Sequence, residues 1–345
     1  MTERQLTFEQ DDIAQMVNSA FDQLRAGRFT ESTELLERAL ELDVEFAGVT
    51  ATLKCARFWT ERQSRVSELL GPRARADYLL TQWGAFREFA SRITDLPERC
   101  RHDIRYYAHA TALAYLLEER GGPPGRVPGD RGRNISGGAG SGSGDANVNR
   151  LIGRCYRAMG DFEHALEYLE HARREAGDSA ALYADLADCY ALINDSRTAK
   201  IFFREAFFLA PDEVGIEDLE SPLIRQLLGH VADAGISEHV AEWVPVYGAA
   251  RGTLSVRREL RPLEYGRLKQ AIFELEKRLG GEAEEPSAQT LPRLLNRYFW
   301  LMDHYSAAGE DARKVEDVLD RLRTVAPDIH ELYLARIDAR PEGAL

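Results

Sequence analysis

Apolar residues recur three and four apart along most of the chain, the spacing that lines one face of an α-helix. "EFAGVTATLKCARFWTERQSRVSELL" (45–70), "RADYLLTQWGAFREFASRI" (75–93) and "IRYYAHATALAYLLEER" (104–120) follow this pattern without strand alternation, so each predicts a helix. In "KIFFREAFFLAP" (200–211) Phe203 and Phe207 share one face. Phe202 and Phe208 point elsewhere and are expected to pack against neighbouring helix pairs rather than to line a cofactor box. Two stretches break the pattern. Residues 121–145 hold ten Gly and three Pro with almost nothing apolar, which predicts a flexible loop. Residues 280–289, "GGEAEEPSAQ", predict a shorter linker.

A repeat organises the pattern. The segment starting at Ala146 overlays the one starting at Ala180 without a gap, at an offset of 34 residues (180 − 146). Ile152 then falls on Leu186, Gly153 on Ala187, Tyr156 on Tyr190, Ala165 on Ala199, Leu169 on Phe203 and Ala172 on Ala206. Small residues occupy positions where two helices must come close, and large ones those where a gap must be filled. Asp145, Asp161 and Asp195 each precede a predicted helix and are expected to cap it through the free amides of its first turn.

This alternation of small and large positions over two helices resembles the tetratricopeptide repeat, and the second unit ends on Pro211, where that family usually has proline. The resemblance implies an all-α fold, a TPR-like α-α superhelix in which antiparallel helix pairs stack as a solenoid. Leu24–Asp43 (Gly27, Phe29, Ser32, Leu36, Ala39), Leu227–Tyr247 (Gly229, Ala232, Gly235) and Tyr298–Asp328 (Leu301, Tyr305, Gly309, Val318, Pro327) read as three degenerate units. The expected organisation is therefore a degenerate helical region over 1–120, the loop 121–145, and repeats at 146–179, 180–213 and 222–255 with a further helix to 279. The linker 280–289 and a last unit with its capping helix over 290–345 complete it. The loop is expected to be a tolerated insertion in one continuous stack.

Composition narrows the function. With 44 Lys+Arg against 57 Asp+Glu the net charge is −13, which disfavours nucleic acid or an anionic membrane as partner. Cys55, Cys100, Cys155 and Cys189 form no CxxC pair, so neither a zinc site nor a disulfide framework is expected. Cys155 and Cys189 share one repeat position and read as small packing residues. No signal peptide or membrane span is read, and a cytoplasmic location is expected.

The eight histidines show no HExxH, and the pairs His102/His109 and His164/His171 are each seven apart, too far to chelate one metal unaided. No catalytic residue, cofactor or metal is expected. The TPR resemblance instead implies a concave face on the first helix of each unit. In the first unit this face carries Asn147, Arg150, Arg154 and Arg157, with the arginines at i, i+4 and i+7 as one cationic stripe. Relatives that hold peptide C-termini place Lys, Arg and Asn there, because guanidinium grips carboxylate through two parallel bonds. The second unit offers Asp185 and Asp188 instead, which argues against a simple copy of that clamp. The expected function is a non-enzymatic scaffold that binds a peptide or helix of another protein, acidic in character, in the manner of scaffolds of bacterial envelope or motility assemblies. A partner-responsive sensor is the alternative, and an enzyme with an unrecognised site between domains is the least supported. Oligomeric state and partner identity are not legible.

Overall fold

The computed structural model describes residues 3–121, 142–254, 258–281 and 287–338. The predicted loop lies largely outside these residues, as does half of the linker. Among the described residues there are fifteen α-helices, two 3-10 turns and no strand. The chain divides into two compact units, Met1–Tyr168 and Leu169–Leu345.

In the first unit α1 (Glu3–Arg25), α2 (Phe29–Leu42), α3 (Val49–Glu68), α4 (Pro72–Ser91), α5 (Glu98–Glu119) and α6 (Gly142–Met159) each pack on the next, and α1 also meets α5. The three segments read as helices from their spacing are α3, α4 and α5. Their core centres on Trp59, whose ring lies 6.0 Å from Phe29, 5.9 Å from Phe86 and 5.7 Å from Tyr107 between centroids. All four are buried. Such aromatic pairs add to area burial by about 0.5–1.5 kcal/mol each.

The boundary between units falls within α7 (Phe162–Ala176). Beyond it come α8 (Ala180–Leu192), α9 (Ser196–Leu209), two short 3-10 turns at Pro211–Glu213 and Ile216–Asp218, α10 (Pro222–Asp233), α11 (Val240–Ala250), α12 (Pro262–Leu279), α13 (Thr290–Ala307), α14 (Ala312–Val325) and α15 (Pro327–Asp338). The sequence of α11, VAEWVPVYGAA, is apolar apart from Glu242. A helix of this kind has to be covered all round, and α11 packs against α10, α13 and α15. The predicted final helix is α15, which holds buried Ile329 against this core. Phe208 packs on another helix pair as expected, against Trp300 of α13 at 4.4 Å, whereas Phe202 lies against Tyr183 and Tyr190 of α8, the other helix of its own pair.

The 34-residue register holds in detail. Ile152 and Leu186, Cys155 and Cys189, Ala165 and Ala199, Leu169 and Phe203, Ala172 and Ala206 are all fully buried, each at 0% exposure. Tyr156 stacks on Tyr168 at 5.6 Å, and their counterparts 34 residues on, Tyr190 and Phe202, stack at 5.7 Å. The turn between the two helices of each repeat is also the same. Gly160 and Asn194 are left-handed, with φ of 85° and 65°. The next amide reaches back five residues in both, Asp161 N–H to Tyr156 C=O at 3.0 Å and Asp195 N–H to Tyr190 C=O at 2.9 Å. This is the Schellman ending of a helix, which favours Gly and tolerates Asn.

The same five-residue bond recurs from Arg28 to Gln23, Ile236 to Val231 and Glu310 to Tyr305, after left-handed Gly27, Gly235 and Gly309. These are the turns of the three degenerate units. Gly27 is further constrained by space: a Cβ there would sit 2.3 Å from the Tyr107 ring.

Caps complete the helices. Asp195 accepts the Thr198 amide at 3.1 Å and Asp161 the His164 amide at 3.3 Å, as their positions predict. Asp145 does not follow that prediction, because α6 begins at Gly142 and Asp145 lies inside its first turn.

Candidate functional site

The four first-unit residues of the predicted stripe lie on α6, with Asn147 exposed at one end, Arg150 and Arg154 half-buried, and Arg157 buried at 4% exposure. The stripe thus runs inward as it approaches the turn at Gly160. Only its first part faces solvent, and Arg157 is a core-edge residue.

The neighbouring helix α5 adds to this charge. Arg120, at its C-terminal end, donates to the side-chain carbonyl of Asn149, which is fully buried on α6. The Arg120 guanidinium also stands 5.5 Å from the Tyr168 ring centre. His109, about three turns further into α5, is buried beside Trp83 and donates from Nδ1 to the Arg105 carbonyl at 2.8 Å. Its pKa is pushed down to about 3, chiefly by burial, with the charges of Arg105, Arg154 and Arg157 acting the same way and that hydrogen bond opposing them. A neutral imidazole therefore lies within reach of the charges of Arg105 on α5 and of Arg154 and Arg157 on α6. Arg105, Arg120 and His109 were missed at the level of sequence. The available signal was α5 itself, since a helix ending at about Arg120 must lie beside the helix that starts the repeat.

Asp185 and Asp188, predicted for the same surface, are buried on α8 at 2% and 0% exposure. Both Asp188 oxygens accept the Glu220 amide at 3.0 Å, and Oδ1 also accepts the Ser221 amide at 2.8 Å. Ser221 is the N-cap of α10, yet its own hydroxyl makes no capping bond. Asp188 takes over that role from another helix, and its place at the N-terminus of α10 is where a carboxylate is most favourable. The carboxylate is taken up by the fold and does not project from it as a ligand group.

Among the described residues no group of three or more His, Cys, Asp and Glu gathers to hold a metal ion, and no helix is long and apolar enough to cross a membrane. All four cysteines are buried and none is in a disulfide. Burial pushes the Cys155 thiol up to about 12, which leaves almost no thiolate near neutral pH.

An all-α frame of helix pairs with recurring Schellman turns defines a helical-repeat protein. The family model of the tetratricopeptide repeat matches residues 148–172, from α6 into α7, so the chain carries a tetratricopeptide repeat there. Comparison with curated proteins gave no match. A repeat and fold of this kind serve protein–protein interaction; fold alone does not choose the partner.

Proposed function

We propose that the protein is a non-enzymatic interaction scaffold that holds an acidic peptide or helix of a partner protein against the exposed part of α6, with Asn147, Arg150 and Arg154 as contact residues. The single observation that supports this reading is that cations of α5 and α6 lie near one another in an acidic chain: Arg105, Arg154 and Arg157 all act on His109, and Arg120 bonds Asn149 of α6. Arg157, Asp185 and Asp188 support the frame in this reading. Carboxylates of the partner would be gripped by paired N–H bonds, which favours arginine over lysine at these positions.

The test is affinity purification of the full-length protein from its native cells with quantitative mass spectrometry. The variants are Arg150→Glu with Arg154→Glu, and the milder Arg150→Gln with Arg154→Gln. The partners recovered by the wild type should be lost from the first variant and reduced in the second, with circular dichroism unchanged. Equal recovery with both variants would remove α6 from the contact surface.

A further inference from the structure

Three consecutive helices of the second unit, α12, α13 and α14, leave a groove that their own side chains do not fill. It encloses about 390 Å³ between the C-terminal halves of α12 and α14, with α13 beneath. Leu294 lies on the floor, Leu279 and Val325 on the walls, and Thr324 on the lip. The volume lies within the ~300–1,000 Å³ of typical ligand sites.

One end of the groove is polar, lined by Glu276, Tyr298 and Arg321, and Asp317 binds Arg321 from outside the lining. Tyr298 donates its hydroxyl to Glu276 Oε1 at 2.6 Å, Arg321 reaches the same oxygen at 3.3 Å, and Arg321 also binds Asp317 at 2.8 Å. One guanidinium therefore stands between two carboxylates, with one negative charge in surplus. Lys277 and Arg278 follow Glu276 by one and two positions, about 100° and 200° around the helix. They are thus on other faces than the one Glu276 shares with Leu279. The groove also lies at the ends of α12 and α14, where the last carbonyls of a helix carry partial negative charge.

We infer that this groove docks a basic amphipathic segment of a partner protein, with a lysine or arginine beside Glu276 and Asp317 and an apolar side chain on Leu279, Leu294 and Val325. A long basic side chain suits both parts, because its stem lies on apolar walls while its head reaches the carboxylates. The net charge of −13 favours approach of such a segment from a distance. The site is distinct from α6, and its preference is for the opposite charge.

Fluorescence anisotropy with the full chain tests this, using a labelled twelve-residue peptide of Leu and Lys at helical spacing and a control with Glu in place of Lys. The Lys peptide should bind and the Glu peptide should not. Glu276→Gln with Asp317→Asn should weaken the Lys peptide about five-fold, the effect of losing two partly exposed ion pairs. Thr324→Trp, which fills the groove from its exposed lip, should weaken it ten-fold or more with circular dichroism unchanged, on the scale expected for blocking an anchor pocket. Glu238→Gln with Glu331→Gln removes the same charge elsewhere and should leave affinity within about two-fold. If that distant pair costs as much as the groove pair, or if Thr324→Trp binds normally, only overall charge attracts the peptide and the assignment falls. It falls equally if sedimentation shows the chain pairing with itself through the groove, with Thr324→Trp breaking the pair.

Discussion

Replacing Asp188 with alanine separates a residue that builds the fold from one that binds a partner. Its carboxylate holds two backbone amides, Glu220 at 3.0 Å and Ser221 at 2.8 Å, at the start of α10. Both Asp188 and Ser221 are fully buried, so water cannot replace the lost acceptor without opening the structure. A hydrogen bond to a charged group contributes about 1.5–3 kcal/mol, and loss of an ordinary N-cap costs about 1 kcal/mol. Taking the lower figure for each bond, because the carboxylate itself is costly to bury, gives about 3 kcal/mol for the pair. In a unit of this size each kcal/mol moves Tm by about 2–4 °C, so Asp188→Ala should lower the transition by about 6–12 °C. Thermal unfolding followed by far-ultraviolet circular dichroism measures the shift, and hydrogen exchange of the amides over 220–233 locates it. Ser221→Ala is the matched control. The Ser221 hydroxyl is buried without a hydrogen-bond partner, so its removal should be neutral or slightly stabilising. A shift below about 2 °C for Asp188→Ala, or an equal loss for Ser221→Ala, would show that the carboxylate does not hold α10 in this way.

Two further predictions concern the first unit. His109 titrates at about 3 when folded and near the ordinary 6.5 when unfolded. Below pH 6.5 the unfolded chain therefore takes up a proton that the native protein refuses, and stability falls as the pH drops from 6.5 toward 3. At about 1.4 kcal/mol per pH unit, the advantage of the wild type over His109→Asn should narrow by about 2 kcal/mol between pH 7 and pH 5. Urea unfolding at the two pH values checks this, and a constant gap would refute it. At the helix turns, Gly160→Ala should cost only the strain of a left-handed alanine, about 1–2 kcal/mol, because nothing lies within 4 Å of the added methyl. Gly27→Ala adds a clash with the Tyr107 ring and should cost clearly more; equal losses in urea titrations would mean that the ring moves aside freely.

Most of the frame was legible because it follows from local rules. Helical spacing located α3, α4 and α5, and the 34-residue offset placed small residues such as Ala165 and Ala199 at close helix contacts, where both are fully buried. Glycine at the turns of the degenerate units marked helix endings that need a left-handed residue. The candidate site was less legible because burial depends on neighbours outside the repeat. The amides that Asp188 binds arrive through two short 3-10 turns and an irregular stretch over 211–221, which has no periodicity to read. Arg157 shares a helical stripe with Arg150 and Arg154, yet its burial follows from packing that spacing alone does not contain. The start of α6 was misplaced for a related reason. Gly and Ser are poor helix formers, so the segment before Ala146 read as loop, although α6 begins at Gly142.

The two matched repeats keep shape and change charge. Arg154 and Asp188 occupy the same register, 34 residues apart, while the positions around them retain their packing. A clamp that draws cations from successive repeats requires the second unit to supply them, but the positions matching Arg150, Arg154 and Arg157 are Ala184, Asp188 and Ala191. In the proposed reading the cationic face therefore draws on α6 and on α5, a helix outside the matched pair, and its grip on an extended ligand would be short. Affinity from so small a surface depends on charge, so binding at α6 should weaken steeply with salt. Binding in the α12–α14 groove rests partly on Leu279, Leu294 and Val325, so it should keep more of its strength as salt rises. Salt dependence thus separates the two surfaces, and each would select a partner that the other repels.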